Sequence, residues 1–249
     1  MKILSRTIKI TFALVGFLSL IWLFLFFRYH EPIPEGYNGS VCDKVVQRMF
    51  GAMNQPAWDS THYVSWTHRG RTQYLWDKKE HHVRVSWSHF DVYLKPNELD
   101  GIVVKRGVII GDDGQVIKQA YRKFINDAFW LCAPMNIQSQ NIDLSYVDLN
   151  IDQDGLMAHY IDGGETPGDT YLWYVNKVGF PTRWKMWVSL FPVGGVDFHI
   201  KDWIQLNSGA WLPTRHSSLI IDIVISDLVS YDSYEEMGLD KDPFSIIKP

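Results

Sequence analysis

Cysteine is scarce, with Cys42 and Cys132 the only two in 249 residues. An excess of basic charge is missing too: 24 Lys and Arg stand against 28 Asp and Glu, for a net charge of −4. That balance offers no electropositive footprint, which disfavours nucleic acid as a partner. The local signatures of common enzymes are also absent. There is no G-x-S-x-G elbow, no H-E-x-x-H, no Walker loop and no dinucleotide glycine fingerprint, so enzyme classes that carry such motifs are disfavoured. The expectation is a protein that is not an enzyme and uses no cofactor. No internal repeat is evident, and long apolar runs are confined to one place near the N-terminus.

That one run extends from Ile10 to Phe27 without a charge, and as a helix it would span about 27 Å, close to the hydrocarbon core of a bilayer. A cleavable signal peptide has a shorter apolar stretch and a small-residue site after it, whereas Phe26, Phe27, Arg28, Tyr29 and His30 follow here. Cys42, after Gly39, Ser40 and Val41, lies too far along and lacks the pattern for lipid attachment. Lys2, Arg6 and Lys9 precede the run and only Arg28 follows closely. The positive-inside rule then places residues 1–9 in the cytoplasm and the remainder across the membrane. Tyr29 is well placed for the interface, while Trp22 sits deep. The expected organisation is a cytoplasmic stub (1–9), a transmembrane anchor (10–27), a linker (28–39) containing Pro32, Pro34 and Gly36, and one domain (40–249). The setting expected is a bacterial inner membrane with a periplasmic C-terminal domain.

What the domain has in abundance is aromatic residues: 11 Trp, 12 Tyr and 13 Phe, which suit pleated strands and also line apolar cavities. Ser40 is placed to cap a helix reaching about Met53, with Val41, Val45, Met49 and Ala52 along one face. From Trp58 onward the period becomes two: Trp58, Ser60, His62, Val64 and Trp66 share one parity, and Thr72, Tyr74 and Trp76 follow the Arg69-Gly70-Arg71 turn. A meander continues through Trp87 and Leu94 to a turn at Gly111-Asp112-Asp113-Gly114. Ile117, Ala120, Tyr121, Phe124, Ile125 and Ala128 have helical spacing, ended by Pro134. Strands are expected again at 142–149, 156–161, 170–175, 182–188, 196–206 and 211–226, with turns at Gly163-Gly164, Thr166-Pro167-Gly168-Asp169 and Gly194-Gly195. About ten strands result, with an irregular strap from Asp227.

The order helix, long meander, covering helix, second meander resembles the lipoprotein-localisation factor superfamily of LolA/LolB-like half-barrels. Asn126-Asp127-Ala128-Phe129-Trp130-Leu131 with Pro134, and Gly168-Asp169-Thr170-Tyr171 with Phe180-Pro181 and Trp184, resemble uncharacterised bacterial LolA-like proteins. The fold class this resemblance implies is mainly β with a few α-helices: an antiparallel incomplete β-barrel covered by helices and preceded by one transmembrane helix. It also implies an apolar cavity, and hence a membrane-anchored binding protein for a lipid or the acyl chain of a lipoprotein. Trp66, Trp76, Trp87, Phe124, Trp173 and Trp184 are the residues expected to line that cavity, against the alternative that they fill a closed core. The stretch from Phe180 to Phe191 mixes Trp184, Met186 and Trp187 with Arg183 and Lys185 and is either an amphipathic strand or a membrane-facing surface.

Other constellations are weaker. His62, His68, His81, His82 and His89 lie along adjacent strands, but His81 and His82 point to opposite faces and no Cys or carboxylate stands at zinc spacing beside them, so solvent-facing histidines are expected and no metal site. Asp152-Gln153-Asp154-Gly155 lacks the downstream Glu of a calcium loop and reads as a β-turn. Asn38-Gly39-Ser40 matches a glycosylation triplet of little weight. Cys42 and Cys132 either pair, closing a loop worth up to about 4–5 kcal/mol in the chain-entropy model, or stay apart as buried thiols. The rival readings are an envelope interaction module with a filled core and no ligand, and a hydrolase with dispersed residues.

Overall fold

The computed structural model describes residues 2–138, 140–149, 152–162 and 168–248. A long helix, α1 (Lys2–Tyr29), precedes α2 (Ser40–Met53), a one-turn α3 (Gln55–Ser60) and six strands: β1 (Tyr63–His68), β2 (Thr72–Asp77), β3 (His82–Trp87), β4 (Phe90–Lys95), β5 (Asp100–Lys105) and β6 (Val108–Gly111). Helix α4 (Gly114–Cys132) leads to seven more: β7 (Ile142–Asp148), β8 (Gln153–Tyr160), β9 (Thr170–Asn176), β10 (Pro181–Trp187), β11 (Val196–Gln205), β12 (Trp211–Ser217) and β13 (Asp222–Tyr231).

All thirteen strands form one antiparallel sheet in the order β6-β5-β4-β3-β2-β1-β13-β12-β11-β10-β9-β8-β7. Two meanders are therefore sewn together by β1 against β13, in the register Tyr63↔Tyr231 to His68↔Ile225. The sheet is open, with β6 and β7 as its edges. It is also bent. Helix α4 packs on β3, β4 and β5 and on β12 as well. On a flat sheet β4 and β12 would stand about 24 Å apart, beyond the roughly 10–12 Å width of a helix. The sheet must curl around α4, whose buried Ile117, Ala120, Phe124 and Leu131 occupy its concave side.

Tight turns set the local register. Arg106 and Gly107 both take positive φ, 51° and 79°, between the paired Lys105 and Val108, the two-residue hairpin whose twist matches its strands. In β5, a Cβ on Gly101 would stand 2.3 Å from the Tyr93 carbonyl oxygen, so only glycine lets β4 and β5 pair there. Asp113 caps α4, its carboxylate accepting from the N–H groups of Gln115 and Val116.

Several expectations need correction. The described residues form thirteen strands, since β5 is additional and the stretch 211–226 is a hairpin: Ser218–Ile221 turn the chain between β12 and β13, the Ser218 hydroxyl accepting from Ile220 and Ile221 N–H. The strap begins after Tyr231, and its Phe244 and Ile247 are buried against Tyr63 and Leu75. Trp58 and Ser60 belong to α3, where Pro56 starts a turn of helix, and not to a strand. Ser40 is the first residue of α2 and makes no capping bond; Gly39 holds the cap position. The buried stripe of α2 is Cys42, Val45, Val46, Met49 and Met53, with Val41 exposed. Asp154 and Gly155 lie in β8, where Asp154 pairs with Arg48, so the β-turn reading does not apply to them. The turns expected at Gly163-Gly164 and Thr166-Pro167 fall outside the described residues.

Helix α1 is long and apolar enough to cross a membrane over Thr7–Tyr29, with a mean hydropathy of 2.5 and none of that window buried.

Candidate functional site

Antiparallel pairing sends alternate connections to opposite ends of the curled sheet. The β1–β2 and β5–β6 turns, the β10–β11 connection and the β12–β13 hairpin therefore share one rim. The chain leaving α1 arrives at the same rim: Glu31 N–H donates to the Gly194 carbonyl at 3.0 Å, Gly194 N–H to His30 Nδ1 at 3.0 Å, and Trp187 Nε1 to the Glu31 carbonyl at 2.7 Å. Lys185 adds an ion pair with Glu31.

Two clefts open at this rim. One, of about 540 Å³, lies between this linker and the β10–β11 connection, with His30, Ile33, Trp187 and Phe191 among its walls. The other, of about 370 Å³, is more varied in chemistry. Trp130 of α4, Met186 of β10, Phe198 of β11 and Ile223 of β13 form its apolar wall, and Phe191 and Ile221 stand at its mouth. Arg69 and Arg71 from the β1–β2 turn and Lys123 from α4 supply cations on the other side.

At the base of this second cleft sits a buried acid. Asp127 accepts from the Tyr74 hydroxyl at 2.6 Å and from the neighbouring Asn126 amide at 2.8 Å, and its Oδ1 is 3.4 Å from His68 Nε2. Burial pushes the His68 pKa down and outweighs the raising effect of Asp127; nearby Arg69 and Lys123 push the same way as burial. His68 is therefore neutral at pH 7, and its buried Nδ1 has no hydrogen-bond partner among the described residues. The same burial and the Asp127 charge hold the Tyr74 phenol protonated well above its ordinary range. With Asp127 tied to Tyr74, Asn126 and His68, the cluster anchors α4 to β1 and β2. It keeps an uncharged imidazole beside an apolar wall, with the exposed Arg69 and Arg71 in the turn next to it, an arrangement suited to an amphiphile with an anionic end.

The six aromatic residues singled out from sequence lie elsewhere. Trp66, Trp173 and Trp184 are fully buried, Phe124 is buried, and Trp76 and Trp87 are half-buried. Five of them form two groups, and Trp87 stands apart. Trp66 stacks on Tyr74 at 4.5 Å between centroids, and Trp76 meets Phe124 edge-on at 5.3 Å. Trp184 stacks on Trp173 at 5.3 Å and on Phe198 at 5.0 Å. Trp87 packs on Phe90. None of the six is among the lining residues of either cleft.

The two thiols are not bridged. Cys42 and Cys132 are both free and buried, and burial pushes Cys132 up to about 12. Nor are the histidines uniformly solvent-facing: His68 is buried, and His62 lies 3.3 Å from the buried Asp77 near the opposite end of β1. No group of three or more His, Cys, Asp or Glu stands ready to hold a metal ion among the described residues. The stretch 180–191 resolves into β10, with Trp184 and Met186 buried and Arg183 paired to Asp197 at 2.6 Å, followed by the exposed Leu190 and Phe191.

Sequence reasoning passed over the cations and the acid of the second cleft. In the sequence Arg69 and Arg71 flank the glycine of a turn, and Asp127 stands in the stretch Asn126–Leu131. The signal available was an Asp on the apolar face of α4, at the 3-residue step from Phe124, where a carboxylate needs partners.

No protein-family model matches the chain, and no curated protein matches it. Among solved structures it is similar to a DUF1329 family protein from Desulfovibrio piger, at 12% identity and a TM-score of 0.41, covering 82% of this chain and 96% of that one.

Proposed function

We propose that this protein is a membrane-anchored binding protein for an amphiphile, a lipid with an anionic head or the acyl chain of a lipoprotein, held in the rim cleft between α4 and strands β10, β11 and β13. In this reading α1 spans a bacterial inner membrane, the domain is periplasmic, and the curled sheet is a half-barrel of the LolA/LolB type. The observation that carries it is the cleft's two-sided chemistry at the end of the domain nearest the anchor: Trp130, Met186, Phe198 and Ile223 against Arg69, Arg71 and Lys123. Each chain methylene moved from water onto that wall contributes about 0.8 kcal/mol, and the cations hold the head at the mouth.

A fatty acid bearing a photoreactive diazirine near its methyl end, incubated with the full chain in lipid nanodiscs, tests this. Crosslinks mapped by peptide mass spectrometry should fall on residues such as Met186, Phe198 and Ile223 in addition to α1. The Arg71→Glu/Lys123→Glu variant should lose the cleft crosslinks several-fold and keep those on α1. Crosslinks confined to α1 in the unaltered protein would sink the proposal.

The interaction-module reading has one observation in its favour. The concave side of the sheet is occupied by α4 and by Trp66, Trp173 and Trp184, which supports a filled core and, for the lipid reading, a ligand at the rim. Absence of cleft labelling would favour that module.

A further inference from the structure

The most exposed apolar side chains of the β domain are at the rim where α1 ends. Leu219 and Ile220, at the tip of the β12–β13 hairpin, are 99% and 91% exposed, and Leu190 in the β10–β11 connection is 78% exposed with Phe191 beside it. Neither segment, residues 188–195 or 218–221, carries a charge. The two are linked across the second cleft, whose mouth is formed by Phe191 and Ile221. Turns at the opposite end differ: residues 78–81 read Lys-Lys-Glu-His, and the β9–β10 turn carries Lys177. Elsewhere on the apolar rim are Arg69, Arg71 and Arg106 in their turns, with Asp162 opening the β8–β9 connection.

The tether leaves little freedom. Helix α1 ends at Tyr29, and Glu31, two residues on, is bonded to Gly194 in the β10–β11 connection and to Trp187 at the end of β10. Two residues reach at most about 7 Å, while the headgroup layer on each side of a bilayer is roughly 5–8 Å thick. With the hydrocarbon core ending at Phe27 and Tyr29 in the interface, Glu31 lies at most about 10 Å beyond the core, so the rim is held at the outer headgroup level. Exposed leucine and isoleucine tips there have lipid, not water, as neighbours. Their number and lack of charge match that setting, and the arginines around them meet lipid phosphates.

We propose that the β10–β11 connection and the β12–β13 hairpin insert Leu190, Phe191, Leu219 and Ile220 into the bilayer that α1 spans, pressing the second cleft against the lipid surface. This inference rests on the reading of α1 as a membrane span. Its occupant is the membrane itself, and not a protein partner.

The full chain carrying Ile220→Cys or, at the opposite end, Val178→Cys is labelled with an environment-sensitive fluorophore; Cys42 and Cys132 are buried and do not compete. Both proteins are reconstituted in vesicles of phosphatidylethanolamine and phosphatidylglycerol, with or without bromine on the acyl chains. The label at 220 should shift to the blue and lose most of its emission to brominated chains, and the label at 178 should do neither. If the protein resists alkaline extraction yet both labels behave as in water, insertion is wrong while the anchor stands. Release of the protein by alkaline extraction overturns the anchor, and insertion with it. A label at 220 that becomes shielded only when cell lysate is added assigns the tips to a protein and overturns insertion.

Discussion

His216 shows how one buried ring sets a pH limit on this fold. Its Nδ1 accepts from the indole N–H of Trp184 at 3.1 Å, and its Nε2 is 2.8 Å from the Trp130 carbonyl, which assigns the proton to Nε2. A second proton on Nδ1 would face the indole N–H with no acceptor. Burial accordingly pushes the His216 pKa down to about 4 from 6.5. A histidine kept neutral in the fold contributes stability that is present above pH 6.5 and lost as pH falls toward 4, because the unfolded chain takes up the proton first. The full effect is on the order of 3 kcal/mol. Urea midpoints of the detergent-solubilised protein should therefore fall between pH 7 and pH 5, and His216→Gln should flatten that dependence. An unchanged slope in the variant would assign the acid sensitivity to other groups. Trp184 itself touches Trp173, Phe198 and Trp130 at ring distances of 5.0–5.3 Å, so it joins α4 to β9, β10 and β11.

Helix α4 is the element on which both the fold and the cleft depend. It fills the curve of the sheet, brings Asp127 to Tyr74 and His68, and places Lys123 and Trp130 on the two sides of the cleft. Its first turn is held by the Asp113 carboxylate on two backbone N–H groups. Asp113→Ala removes that cap and should cost about 0.5–2 kcal/mol, read as a lower urea midpoint with little change in the far-ultraviolet circular dichroism of the native state. A midpoint equal to the parent's would show that the tertiary contacts of α4 make the cap redundant. The elements also show what periodicity can and cannot reveal. The spacing of Ile117, Ala120, Phe124 and Ala128 located α4, and Pro134 its end, because a helix repeats locally. The face of α2 came out rotated, with Cys42 and Val46 inside and Val41 outside, because two apolar stripes were available and only packing on β7, β8 and β12 chooses between them. Alternation of Trp58 and Ser60 with His62 mimicked a strand, yet Pro56 begins a helical turn there. The β12–β13 hairpin was unread because Ser218-Leu219-Ile220-Ile221 lacks glycine and proline, and its turn is made by the Ser218 hydroxyl.

At the scale of the whole molecule, thirteen strands in one open sheet leave β6 and β7 as edges. The linker partly covers β7, where Tyr37 bridges Tyr146. The proposed placement, which rests on Lys2, Arg6 and Lys9 before the apolar run, predicts a fixed sidedness. Protease added to intact spheroplasts should digest the domain, and lysis should be needed only for cytoplasmic controls. A domain that survives while external controls are degraded would place it in the cytosol and remove the basis for lipid handling at the periplasmic face. The filled interior changes where a ligand is sought. Trp66, Trp76, Trp87, Phe124, Trp173 and Trp184 are the natural candidates in a hollow barrel, whereas the rim cleft draws on residues from six separate elements, β1, β2, α4, β10, β11 and β13.

What the sequence determined by itself is local: an uncharged apolar run from Ile10 to Phe27, strands that alternate with period two, a helix between two meanders, and the turns that glycine and aspartate permit. These follow from the conformational preferences of neighbouring residues, which do not depend on the rest of the chain. Only the tertiary structure decided that β1 lies beside β13, that α4 fills the concave side, and that Arg69, Arg71, Lys123 and Asp127 meet Trp130, Met186, Phe198 and Ile223 at one rim. Those residues are up to about 150 positions apart, and no local period records which of many hairpins curls against which; that choice is made by the burial of aromatic surface and the bending of one continuous sheet.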